Sequence, residues 1–274
     1  MKKRGQKIAF IGTGFMARAM IGGIVGSGLR SPDAVLAVNP VEPESAAEVN
    51  RLFGVGVGGI SDLDGADTVV FAVKPQQFDE ALAMYRDHFT ADKLYLSIMA
   101  GVTLARLEKS IPGAPVVRLM PNLALSVGKS ATAFAPGSLA SGEDVALVEE
   151  LFSVMGVVLK VDEELISSVT GLSGSGPAYF CLLAEALAAA AEEKGMDRAT
   201  ADALALQTLI GTAELLEKTG VSAAELRRRV TSKKGTTEAG LLAMTAAGFE
   251  KAAADGFNAA RIRCDELSSP DSAK

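Results

Sequence analysis

The fold class that this sequence predicts is α/β, a doubly wound parallel sheet followed by an all-α domain, and three observations carry it. Short apolar runs of strand character alternate with helical patterns as far as about residue 162. A glycine-bearing turn joins the first strand directly to the first helix. After Val169 the strand signals stop, and long stretches rich in Ala and Leu fill the rest of the chain.

Composition narrows the class of ligand. With 274 residues, 49% of them apolar, the chain can bury a sizeable core, but aromatics are only 5% and Trp is absent, so that core is aliphatic. The formal net charge is −6 and no basic stripe with interleaved aromatics is present, which argues against a nucleic-acid surface and for a small-molecule ligand. No stretch is long and apolar enough to span a bilayer, so no membrane partner is expected. His88, the sole histidine, excludes chemistry needing two of them, leaves no zinc or other metal site, and is expected in solvent. Cys181 and Cys264 lack metal-ligand spacing and predict reduced thiols in a cytoplasmic protein. Lys2, Lys3, Arg4 and Lys7 before an apolar run have the outline of a secretory signal, but Arg18 interrupts the run and the glycines fall at spacings with another meaning.

That meaning is nucleotide binding. Residues 7–12 read as a buried strand, and Gly12-Thr13-Gly14-Phe15-Met16-Ala17 follows it, just before the helical pattern of Met20, Ile21, Ile24 and Val25. This is the G-x-G-x-x-A dinucleotide fingerprint in its strand-to-helix context: Gly12 for the tight turn, Gly14 for close approach of a diphosphate, Ala17 for helix packing. The second strand, residues 35–38, ends at Asn39-Pro40-Val41. The tip residue is neutral, so a ribose 2′-phosphate is not repelled and NADPH is favoured, with NADH as the alternative; Glu42 reverses this if the turn folds back.

A helix over 43–53, a short strand at 55–57 and a buried strand at 67–73 come next, the last running into Lys74-Pro75. Lys74 therefore falls outside the carboxyl end of a parallel strand, on the cofactor side. Strands at 94–99, 116–120, 131–134 and 157–161, with a helix over about 144–155, complete a Rossmann-type sheet over residues 1–165. The all-α domain, 166–274, opens on TGLSGSGPAYF at 170–180, read as a small-residue loop whose peptide N–H groups are free for an anion. Helices follow at about 177–194, 199–218, 222–230, 237–247 and 249–267, with a polar tail over 268–274. In the second of these, Leu204, Leu206, Leu209, Ile210, Leu215 and Leu216 cannot share one face, which predicts a subunit interface. Val230 to Thr237, VTSKKGTT, offers a second hydroxyl-rich helix start.

TGLSGSGPAY at 170–179 with VTSKKGTT at 230–237 resembles the pyrroline-5-carboxylate reductase family, and GTGFMARAMIGG, AVKP, AGVTL and RLMPN fall in the family's order across nearly the whole chain. The resemblance implies a reductase that makes proline from its cyclic imine, so the expected substrate is a small cyclic imino acid. It implies cofactor contacts at Ile11, Gly12, Thr13, Gly14, Phe15, Met16, Asn39, Val41, Val73, Lys74 and Ala100, and substrate contacts at Glu163, Thr236 and Thr237 on a loop shaped by Gly235. It also implies an intertwined homodimer, which in the family is often assembled further into higher oligomers. This chain departs from the family at Phe15, at Leu123-Ala124 in place of TP, and at Lys233-Lys234 in place of PG.

A protonated cyclic imine is already electrophilic, so the reaction needs orientation more than a base. Thr237 is the expected catalytic residue, bonding the imine nitrogen, with Thr170 and Ser175 as orienting hydroxyls. The rival is a β-hydroxyacid dehydrogenase, which shares the spacing of Gly171, Gly174 and Gly176 but requires a lysine where Phe180 stands. A nucleotide-binding paralogue of weak activity is the non-enzymatic alternative.

Overall fold

The computed structural model describes residues 4–268. Its first part alternates as β1 (Ile8–Ile11), α1 (Phe15–Gly26), β2 (Val35–Val38), α2 (Pro43–Phe53), β3 (Gly56–Gly58), β4 (Thr68–Phe71), α3 (Phe78–Tyr85), β5 (Leu94–Ser97), α4 (Leu104–Ser110), β6 (Val116–Met120), β7 (Ser130–Pro136), α5 (Gly142–Ser153) and β8 (Gly156–Lys160). The eight strands form one sheet in the order β3-β2-β1-β4-β5-β6-β7-β8. β1, β4 and β5 are buried at every position, which is why they read in sequence as continuous apolar runs. One face packs Phe10, Leu96 and Phe134 against Met20, Ile24, Val49 and Phe152 of α1, α2 and α5. The other packs Phe71 and Tyr95 against Phe78, Tyr85 and Leu107 of α3 and α4.

The sheet departs from the fully parallel expectation at one edge. β7 runs antiparallel to β6, and β8 is parallel to β7, so the last two strands oppose the first six. The connection explains it: residues 121–129 hold only a 3-10 turn, Leu123–Val127, too little for a parallel crossover, whereas α5 provides one between β7 and β8.

The second part is α6 (Ile166–Val169), α7 (Gly176–Glu192), α8 (Arg198–Thr219), α9 (Ala223–Arg229), α10 (Thr236–Ala246) and α11 (Phe249–Ser268). The stretch 170–180, read as an open loop, is instead helical. α6 passes through a π-turn, Thr170–Gly174, into α7. Ser175 N donates to Thr170 O at 2.8 Å, the five-residue spacing of that turn. By contact the chain forms two compact units: the described residues to Ser175 together with those from Asn258 onward, and Gly176–Phe257.

Within the second unit, α8 buries only Ala201, while Leu204, Leu206, Ile210 and Leu215 stay 41–58% exposed. Ser222 Oγ accepts from Glu225 N at 3.2 Å, as its spacing predicts, but the Glu225 carboxylate is taken by Arg228 and Arg229, so the capping box is one-sided. His88, expected in solvent, is half-buried and bonded through Nδ1 to Asp64 Oδ1 at 2.8 Å. Among the described residues no helix is long and apolar enough to cross a membrane. Lys2, Lys3 and the tail beyond Ser268 lie outside the described residues.

Candidate active site

β1 is flanked by β2 and β4, and the chain winds outward in opposite directions from this centre, so the ligand crevice lies beyond the carboxyl ends of these strands. The ladder sets Ile11 level with Val38 on one side and Phe71 on the other. The residues that follow each strand therefore converge. Ile11, Gly12, Thr13, Gly14, Asn39, Val41, Val73 and Lys74, all expected at the cofactor, line one groove.

The two glycines serve it differently. Gly12 has φ +93°, and a Cβ there would sit 2.8 Å from the Ala72 carbonyl oxygen, so both conformation and crowding demand glycine. Gly14 has φ −69°, open to any residue, and nothing lies within 4 Å of its absent Cβ; its smallness keeps open the space before α1. α1 has no side-chain cap and no acidic residue in its first turn, so its leading N–H groups are unsatisfied and suited to a diphosphate. Ala17 is fully buried against the sheet, as the fingerprint requires.

Behind the turn is a polar network not anticipated from the sequence. Buried Thr13 donates through Oγ1 to Ser45 Oγ at 2.7 Å and accepts from Asn39 Nδ2 at 2.9 Å. Arg18 donates from Nε to Thr13 O at 2.9 Å and pairs with Glu48 at 2.7 Å, tying α1 to α2. Asn39 Oδ1 accepts from Glu42 N at 3.1 Å, so the turn does fold back and Glu42 joins the groove lining. The sequence signal for this was Asn three residues before Glu42, the spacing of an Asx-type turn.

The groove's far wall was also missed: Gln77 and, from α3, Glu80, Ala81 and Met84. Three expected cofactor residues do not line the groove. Phe15 opens α1 with 61% of its surface exposed, Met16 is half-buried on the same turn, and Ala100 lies half-buried in the loop after β5. Lys74 is exposed, with no ion-pair partner among the described residues.

Of the residues expected at the substrate, Glu163 is engaged within the protein: its Oε1 accepts from Leu104 N at 2.6 Å and from Arg118 Nη1 at 2.9 Å. Thr170 Oγ1 donates to Ile166 O at 2.8 Å and accepts from the buried Cys264 thiol at 3.5 Å. Ser175 Oγ has no hydrogen-bond partner among the described residues. Gly235, Thr236 and Thr237 lie in the second unit. Gly235 precedes α10, and a Cβ there would lie 2.3 Å from Ser232 Oγ, so the turn requires its smallness. Thr236 and Thr237 are exposed at the start of α10, where leading N–H groups lack intrahelical acceptors. Lys234, before them, holds φ 60°, a left-handed conformation, and donates its N–H to Glu238 Oε2 at 2.6 Å.

A glycine turn at the switch point of a doubly wound sheet, with an uncapped helix behind it, defines the class: a dinucleotide-binding α/β protein carrying a helical second part. Residues 163–267 match the family model described as pyrroline-5-carboxylate reductase dimerisation, and residues 7–101 match one described as NADP oxidoreductase, coenzyme F420-dependent. A pyrroline-5-carboxylate reductase from Methanosarcina acetivorans is 38% identical over 96% of this chain and 97% of its own length. The solved structure of a pyrroline-5-carboxylate reductase from Coxiella burnetii superposes with a TM-score of 0.88 at 33% identity, covering 96% of this chain and 99% of that one. A Plasmodium falciparum pyrroline carboxylate reductase solved with NADP bound shares the fold at 24% identity, with a TM-score of 0.85 over 97% of this chain and 99% of that one. The chain belongs to the pyrroline-5-carboxylate reductase family.

Proposed function

We propose that this protein reduces the C=N bond of 1-pyrroline-5-carboxylate to give L-proline, with NADPH as the donor and NADH as the alternative. The observation that carries the reading is the 38% identity to a pyrroline-5-carboxylate reductase over essentially both whole chains. The fit of the crevice to a dinucleotide supports it. Phe180, where a hydroxyacid dehydrogenase needs lysine, supports it further.

Bound in the groove, the dihydronicotinamide supplies the hydride. The leading N–H groups of α1 hold the diphosphate, and Gly14 leaves the room for it. Asn39, held from both sides by Thr13 and Glu42 N, presents an oriented amide to the adenosine ribose. On the substrate side, the first peptide N–H groups of α10 take the ring carboxylate, and the Thr237 hydroxyl accepts from the protonated imine nitrogen. The imine carbon gains the hydride and the nitrogen keeps its proton as an amine, so no protein base is consumed. Glu163, Thr170, Ser175, Gly235 and Thr236 complete the proposed substrate-side set, and Phe15, Met16 and Ala100 the cofactor set.

Residues 1–165 are assigned to cofactor binding and 166–274 to substrate binding and dimerisation. The uncovered Leu and Ile of α8 support a homodimer, or a higher assembly built from it, and we place the protein in the cytoplasm. The test is imine-dependent oxidation of NADPH, run with pyrroline-5-carboxylate and, in parallel, piperideine carboxylate. Thr237→Ala should lower kcat about tenfold or more while NADPH affinity is unchanged; the loss of one oriented hydrogen bond is of that size. An unaltered kcat would remove Thr237 from the mechanism.

A further inference from the structure

The turn between α6 and α7 contains a carbonyl that its own helix cannot satisfy. Ser173 O should accept from the peptide N–H four residues on, but residue 177 is proline and has none. A side chain supplies the donor instead: Asn122 Nδ2 reaches Ser173 O at 3.0 Å. That amide is itself held. Asn122 Oδ1 accepts from Ala124 N at 3.1 Å, and Asn122 N donates to Ser130 Oγ at 3.2 Å, so the side chain cannot turn away without undoing the turn after β6.

A second fastening lies at the other end of the same segment. Glu163 Oε1 takes the first N–H of α4, Leu104 N, and the Nη1 of Arg118 in β6. Residues 163–175 are thus pinned at both ends to elements that follow or form β5 and β6. Leu104 and Asn122 stand at the carboxyl ends of those strands, the ligand end of the sheet. Between the pins stands Ser175, the one orienting hydroxyl of this segment without a partner among the described residues.

We propose that Asn122 is a positioning residue for hydride transfer: by giving Ser173 the hydrogen bond that Pro177 denies it, it fixes the 170–175 turn against the loop after β6. The kinetic part of this inference rests on the imine-reductase reading above. The pairing of Asn122 with Pro177 also makes a specific rescue available, because Pro177→Ala restores a peptide N–H four residues after Ser173.

The experiment is a double-mutant cycle on the full-length protein with NADPH and pyrroline-5-carboxylate. Asn122→Ala should lower kcat at least tenfold while the Kd for NADPH, from fluorescence titration, stays within twofold. Pro177→Ala alone should leave kcat near wild type, and Asn122→Ala with Pro177→Ala should recover it to within threefold. Unchanged kcat in Asn122→Ala, or a loss that the second substitution does not repair, overturns the proposal. Should Asn122→Ala not fold alone, the doubly substituted protein decides: folded and active supports the proposal, folded and inactive overturns it. A wild-type protein that binds NADPH but turns over no imine defeats the functional reading instead. The hydrogen-bond substitution is then read from thermal midpoints, where non-additive recovery supports it and additive losses overturn it.

Discussion

At the scale of single residues, the site was most legible where backbone geometry dictates composition. Gly12 could be assigned from spacing alone because a turn this tight, with a neighbouring carbonyl 2.8 Å from any added Cβ, admits no other residue. Gly12→Ala should therefore abolish detectable NADPH binding by titration, whereas Gly14→Ala, with open space around it, should only weaken it. The Thr13, Asn39 and Arg18 network was not legible, because three short polar side chains from different elements carry no periodic signature. Lys234 is a different case. It stands where the family has glycine and holds φ 60°, so Lys234→Gly should relieve about 1–2 kcal/mol of left-handed strain. Roughly 0.5–1 kcal/mol of that is offset by the added freedom of the unfolded chain. A small rise in denaturation midpoint is the expected outcome, and a fall would show that the Lys234 side chain makes a compensating contact.

Among the elements, alternation revealed nearly every strand and helix, since strands buried on both faces and helices with one apolar stripe leave distinct patterns. Strand direction was not legible at the β7 edge, because it depends on the length of residues 121–129 and not on the strand's own side chains. The π-turn was missed for a related reason: glycine and serine suit both open loops and irregular helical turns, and only the chain on either side decides. β8 depends on Gly156, whose φ is +139° and whose Cβ, if present, would lie 2.1 Å from Ser130 O. Gly156→Ala should cost roughly 3 kcal/mol or more in chemical denaturation by forcing β8 off β7; an unperturbed midpoint would contradict the β7–β8 register. At α5, burial pushes the Asp144 carboxyl up, but Arg4 at 2.6 Å and Ser141 outweigh it and hold it below its ordinary value. A lowered folded-state value contributes stability above the unfolded pKa, and that contribution is lost as pH falls through the folded one. Asp144→Asn should therefore be less stable than wild type at neutral pH, with the difference closing in acid below the carboxylate range.

For the whole molecule, the α8 side chains that no single face could accommodate are the ones left uncovered, and this places the demand for a second copy in the sequence itself. Sedimentation at micromolar concentration should show a dimer or larger, and replacing Leu206 and Ile210 by Glu should shift it toward monomer and abolish turnover; an active monomer would contradict the assignment of 166–274 to assembly. What joins cofactor half, helical half and imine chemistry is delivery of hydride to the ring carbon of the C=N bond. The direct measurement uses NADPH deuterated on the transferring face of nicotinamide C4, with pyrroline-5-carboxylate as acceptor and NMR of the product. The account predicts one deuterium in proline, on the ring carbon bonded to nitrogen and distant from the carboxylate. Proline without the label, or NADPH left unoxidised beside a full supply of the imine, would contradict it.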